Sequence, residues 1–122
     1  MKTGNVLYIN EKQAKAMLNM KQVIGLMEKC FREYASGNVL NPVKLHLGLR
    51  PHVEGYINSM PSYMIESNLM GVKLAGCWVN NPPIGIPTSI GIIVLFVPQT
   101  GVPYAIVDGT FITNIRTGAV VG

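Results

Sequence analysis

The sequence predicts an α+β fold, with N-terminal helices packed on a mixed, largely antiparallel sheet. Three observations carry this. Two capped helical segments stand back to back between residues 10 and 37. Residues 43–50 alternate apolar and polar side chains at period 2. Residues 88–107 hold two apolar runs joined by the tight turn Pro98-Gln99-Thr100-Gly101, which reads as a hairpin.

In chain order, Val6 to Ile9 is a short apolar strand. Asn10 followed by Gln13 forms a capping-box pattern and opens a helix from Glu11 to about Leu18. Asn19 followed by Gln22 repeats it, so the spacing predicts a corner at Asn19 and a second helix from Met20 to about Ser36. Val23, Met27, Cys30, Phe31 and Tyr34 recur at helical spacing as its expected buried stripe. Gly37 suits the C′ position. Asn41-Pro42 breaks the chain. Val43, Leu45, Leu47 and Leu49 then make one apolar strand face, and Lys44, His46 and Arg50 lie on the other. Pro51 to Gly55 is a loop, and Tyr56 to Met60 is a returning strand expected to stop at Pro61. Gly71 to Val79 is the next strand. Asn80 to Pro87 holds three prolines and one glycine and reads as a rigid loop, able to cover a site or to reverse the chain. Thr88 to Val97 is an apolar central strand, expected to be buried on both faces, and Val102 to Val107 pairs with it. Asp108-Gly109 turns into a last helix with Thr110 as its N-cap.

Composition narrows the function classes. Of the 122 residues, 48% are hydrophobic and only 13% charged. No run reaches the roughly 20 apolar residues of a membrane helix. Lys2-Thr3-Gly4-Asn5 is not the start of a signal peptide. The expectation is a cytoplasmic chain, not associated with membrane, whose apolar surplus meets a second copy of itself or a further domain. The net charge of +4 splits into +5 over residues 1–50 and −1 over residues 51–122. The basic residues of the first half are interspersed with acids, as on a solvated helix face and unlike a nucleic-acid stripe. Cys30 and Cys77 lack metal-ligand spacing and read as buried free thiols. His46 and His52 have no third ligand nearby, so no metal site is expected. No GxGxxG, P-loop, HExxH or Ser/His/Asp arrangement is present.

Two cations stand out. Lys73 sits in mid-strand on the side of Gly71, Ala75 and Cys77, and no acid lies within six residues of it. Desolvating an ammonium there is costly unless an anion compensates. Lys73 is therefore on a solvent face, paired with Glu66 through the fold, or at a site for an anionic ligand. Arg116 lies about two turns into the last helix; it is either a surface residue of an ordinary helix or, beside the small residues Thr117, Gly118 and Ala119, placed where a backbone or a ligand can approach closely. The last helix has run only about three turns at Gly122, as though the sequence were part of something longer.

MPSY at 60–63, GVKL at 71–74, IPTSIGIIVLFVPQTGVPYAIVDGTFIT at 86–113 and RTGA at 116–119 follow in a specific order. In these residues, and in the two-helix opening that ends at Gly37, the chain resembles the N-terminal part of the ornithine cyclodeaminase/mu-crystallin family over nearly its whole length. The resemblance implies a single substrate-binding and dimerisation domain over residues 1–122, with homodimerisation through the sheet. A Rossmann domain absent from these residues would follow, binding most of an NAD or NADP and supplying the catalytic acid/base Asp, so no catalytic residue is expected within this chain. It implies that Lys73 and Arg116 hold a substrate carboxylate, with a third basic residue from the earlier strand, Lys44 or alternatively Arg50. It implies that Thr88, Arg116 and Thr117 approach the cofactor. The partner implied is a small α-amino or imino acid, deaminated as by ornithine cyclodeaminase or formed by imine or ketimine reduction. A non-catalytic crystallin-like binding protein is the alternative. Family cyclodeaminases carry Glu where this chain has Asn58, and a neutral amide is a poorer partner for the distal amine of ornithine.

Overall fold

A computed structural model describes residues 5–121. Lys2, Thr3 and Gly4, read above against a signal peptide, and Gly122, where the last helix was noted to stop, lie outside these residues. The elements are β1 (Leu7–Ile9), α1 (Glu11–Met17), α2 (Met20–Ala35), β2 (Val39–Leu40), β3 (Leu45–Gly48), β4 (Gly55–Met64), β5 (Leu69–Trp78), a 3-10 turn (Pro82–Ile84), β6 (Ser89–Phe96), β7 (Pro103–Asp108) and α3 (Gly109–Val121). The sheet runs β1-β7-β6-β5-β4-β2, and β3 also pairs with β4. Only the β1–β7 pairing is parallel among the described strands. The mixed, largely antiparallel α+β fold is therefore present.

Local chemistry sets the helix boundaries. Both capping boxes form: Asn10 and Gln13, and likewise Asn19 and Gln22, exchange backbone-to-side-chain bonds of 2.9–3.0 Å. At the other end of α2, Gly37 N–H donates to Tyr34 O and Asn38 N–H to Glu33 O, both at 3.1 Å. Gly37 takes φ +77°, which completes a Schellman cap. α3 packs on β6 and β5, α2 packs on α3, and α1 lies against α3 and β7. Gly118 faces Met20, whose Cε would lie 3.3 Å from an added Cβ, and Ala119 is buried. The small residues after Arg116 thus serve close helix packing.

Several expectations are corrected. Pro61 does not end β4, which continues to Met64. It falls between the stretches of β4 paired to β3 (residues 56–59) and to β2 (residues 63–64), where one edge has no partner and a missing N–H costs little. β2 was not foreseen. In the stripe of α2 only Val23 is buried, whereas Phe31 and Tyr34 are exposed. The buried residue near that end is Glu33, whose carboxylate accepts from the Ser67 hydroxyl and backbone N–H. α3 begins at Gly109 directly after β7, and Thr110 is not its cap; the Thr110 hydroxyl accepts from Gly91 N–H at 3.3 Å. Residues 80–87 reverse the chain between neighbouring strands β5 and β6, tied by Asn81 Nδ2 donating to Pro87 O at 3.0 Å.

β6 is not buried on both faces. Its register puts Gly91 and Ile93 under α3 and leaves Ile90 and Ile92 on the other side, 39% and 38% exposed. That second face carries Val72 and Leu74 of β5 and extends to Leu45 and Leu47 of β3, and none of the described helices packs over it. The accessible surface of 8357 Å² exceeds the roughly 6,500 Å² typical of a folded monomer of this size. The apolar surplus noted in the sequence is this open face.

Candidate functional site

Antiparallel register builds the site on the helix-covered face. Lys73 pairs with Met60 and Ile93, while Ala75 pairs with Asn58 and Gly91. Tyr56, Asn58, Met60, Lys73, Ala75, Cys77, Ser89 and Gly91 therefore share one face under α3. Glycine makes the close approach of α3 feasible: a Cβ on Gly109 would lie 3.0 Å from the Gly91 carbonyl carbon.

Lys73 is half-buried. Burial holds its ammonium below the usual lysine value, and the positive charges of Arg116 and Lys44 push it further down. Arg116 on α3 and Lys44 in the segment before β3 are thus near enough to Lys73 on β5 for their charges to act on it. Glu66 sits exposed in the β4–β5 turn and makes no ion pair with Lys73. Arg50 is drawn away, its guanidinium bound to Glu54 at 2.7 and 2.8 Å. Arg116 borders a cavity of about 250 Å³ together with Ser62, Met64, Phe31 and Tyr34. The exposure of those two aromatic rings belongs to this opening.

A smaller cavity of about 130 Å³ adjoins the cluster, between α3 and the strands. Asn58, Met60, Ala75, Cys77, Gly91 and Thr113 line it. Asn58 is 8% exposed, and its Oδ1 lies 2.7 Å from His46 Nδ1. The His46 ring leans on Tyr56 with centroids 5.0 Å apart. Thr113 Oγ1 is buried without a partner, an arrangement that ordinarily costs about 1–3 kcal/mol. Cys77 Sγ lies 3.4 Å from Ser89 Oγ. Hydrogen bonds from Ser89 and Tyr56 lower the thiol's pKa, and the same partnership raises that of Tyr56. Cys77 and Cys30 are part-exposed, not fully buried as expected.

Of the residues expected near a cofactor, Thr88 stands just before β6, half-buried, its carbonyl accepting from Trp78 N–H at 2.9 Å. It lines neither cavity next to Lys73. Thr117 donates its hydroxyl proton to Thr113 O at 2.7 Å. Sequence reasoning did not find the His46–Asn58 pair or Thr113. The alternation of β3 placed His46 beside Lys44, but its partner across the sheet depends on a register that no local pattern prints.

The profile of the Ornithine cyclodeaminase/mu-crystallin family matches residues 6–122. The chain belongs to this family. It is 30% identical over 116 residues to an alanine dehydrogenase of Archaeoglobus fulgidus, covering 95% of this chain and 34% of the relative. The structure of Thermococcus litoralis Delta(1)-pyrroline-2-carboxylate reductase in complex with NADH and L-proline matches with a TM-score of 0.91 and 34% identity, over 95% of this chain and 36% of that one. An archaeal alanine dehydrogenase dimer with bound NAD matches with a TM-score of 0.87 and 30% identity, over 94% and 34% of the two chains. The chain thus spans about a third of the length of its relatives. No helix among the described residues is long and apolar enough to cross a membrane.

Proposed function

We propose that this chain is the substrate-binding and dimerisation portion of a longer NAD(P)-dependent oxidoreductase acting on a small α-amino or imino acid. The observation that carries this is that the charges of Arg116 and Lys44 act on half-buried Lys73, and among the described residues none of the three is ion-paired to a carboxylate. Such a cluster attracts an anion, and charge-assisted hydrogen bonds from several sides suit a carboxylate. Lys44 is the third ligand in this reading, because Arg50 is engaged by Glu54. Relatives whose structures hold NADH with L-proline, or NAD, support the reading.

The residues fit a cofactor at their margin. Thr88 leaves a half-buried hydroxyl that donates to no protein atom among the described residues, and Arg116 is exposed at the cavity mouth. Thr117 has only oxygen lone pairs to offer, since its proton goes to Thr113. When bound, a nicotinamide accepts or donates the hydride at the substrate Cα. This chain's own contribution is positional: the clamp fixes the carboxylate, and thereby the direction of the neighbouring Cα–H or C=N bond. Oxidation removes a hydride from Cα and a proton from nitrogen to leave an imine; reduction reverses both transfers. The open sheet face supports pairing with a second copy.

Nicotinamide absorbance in the intact protein tests the reading. The oxidised cofactor is supplied with amino acids, and the reduced cofactor with cyclic imines or with 2-oxo acids plus amines. Turnover that is lost in both Lys73→Ala and Arg116→Ala is expected. No turnover from a folded protein that still binds a carboxylate would instead indicate a crystallin-like binder.

A further inference from the structure

The clamp accounts for a carboxylate but not for the 130 Å³ cavity beside it. Lys73 and Asn58 lie on one sheet face as diagonal neighbours, since Asn58 pairs with Ala75, two residues along β5. Such neighbours stand about 7–8 Å apart, the reach of an amino acid side chain from its own carboxylate. Asn58 Oδ1 carries no proton, so the 2.7 Å bond requires His46 Nδ1 to donate. That bond holds the amide with its NH2 group turned away from His46. Among the described residues that NH2 group has no protein partner, although Asn58 is 8% exposed. Thr113 lines the same cavity, but its Oγ1 is buried behind the wall and does not face the space. No lining residue carries a carboxylate.

We propose that His46 is a positioning residue that holds the Asn58 amide so that its NH2 group forms the polar wall of a side-chain subsite. The subsite takes a short, uncharged substrate side chain, preferably one with a hydrogen-bond acceptor, and rejects one that ends in an ammonium. This rests on the clamp reading above. The rejection has two physical sources: a fixed donor faces the intruding cation, and the nearby Lys73 and Arg116 charges repel it with no carboxylate in the cavity lining to offset them. Loss of His46 frees the amide to turn its Oδ1 toward the cavity, which would accept an ammonium.

Calorimetric binding of three nearly isosteric amino acids to the intact protein tests this: L-norvaline, L-homoserine and L-2,4-diaminobutyrate, whose side chains end in methyl, hydroxyl and ammonium. The wild type is expected to bind homoserine at least about tenfold more tightly than diaminobutyrate. His46→Ala should compress that ratio several-fold and His46→Gln, which can still donate, should restore it. Asn58→Asp should invert the preference. Equal ratios in wild type and His46→Ala, with all three ligands still dependent on Lys73 and Arg116, would overturn the subsite and leave the clamp standing. Failure of every ligand to bind the folded wild type would overturn both.

Discussion

Lys73 loses hydration on β5 and gains two like charges in return, so its lowered pKa makes it a cost to folding. Between that lowered value and the ordinary 10.5 the unfolded chain binds more protons than the folded one. Stability contributed by this site therefore rises with pH across that window, and is least where Lys73 is charged in both states. Lys73→Met should stabilise the folded chain at neutral pH by on the order of 0.5 kcal/mol in denaturant titrations, while removing carboxylate affinity. A loss of stability would mean that Lys73 has a structural anion partner. Ligand binding needs the charged form. Carboxylate affinity should therefore begin to fall with rising pH before 10.5 is reached, and Lys73→Arg should move the decline upward because guanidinium stays charged. An affinity that is flat up to the ordinary lysine range would contradict the cluster.

At the scale of elements, the two glycine environments of Gly25 and Gly76 predict opposite outcomes. Gly25 lies in the middle of α2 with open space where a Cβ would go. Gly25→Ala should stabilise by about 1 kcal/mol, read as a raised thermal midpoint. A Cβ on Gly76 would lie 2.0 Å from Tyr56 O. Gly76→Ala should push β4 from β5, and a midpoint near wild type would refute the pairing. The helix ends were legible in sequence because Asn10, Gln13, Asn19, Gln22 and Gly37 act within a few residues of themselves. Pro61 misled because its tolerance depends on which edge of β4 is paired. Thr110 misled because its hydroxyl serves β6 instead of α3. The unusual setting of Lys73, an ammonium in mid-strand without a local acid, was legible in sequence. The sequence already favours Lys44 over Arg50, and the structure adds only the Arg50–Glu54 pair to that choice; the His46–Asn58 pair needed the register.

For the whole molecule, one sheet face is covered by helices and the other is open and apolar. A stable interface hides about 800 Å² per partner, well within the surplus surface seen here. The intact protein should sediment as a dimer at micromolar concentration, and Ile92→Asp on the open face should shift it toward monomer while leaving the helix-covered face intact. An unchanged mass for that variant would place the interface elsewhere. The same two-sided plan keeps the cation cluster away from the open face and directs it toward α3 and its cavities. The central claim is that Lys73 and Arg116 grip one and the same anion, and a double-mutant cycle on carboxylate affinity tests it most directly. Calorimetry of L-proline binding to the wild type, Lys73→Met, Arg116→Ala and the double variant should show each single change costing at least about tenfold and the double costing clearly less than their product. Strictly multiplicative losses, or singles that bind as the wild type does, would contradict a shared clamp.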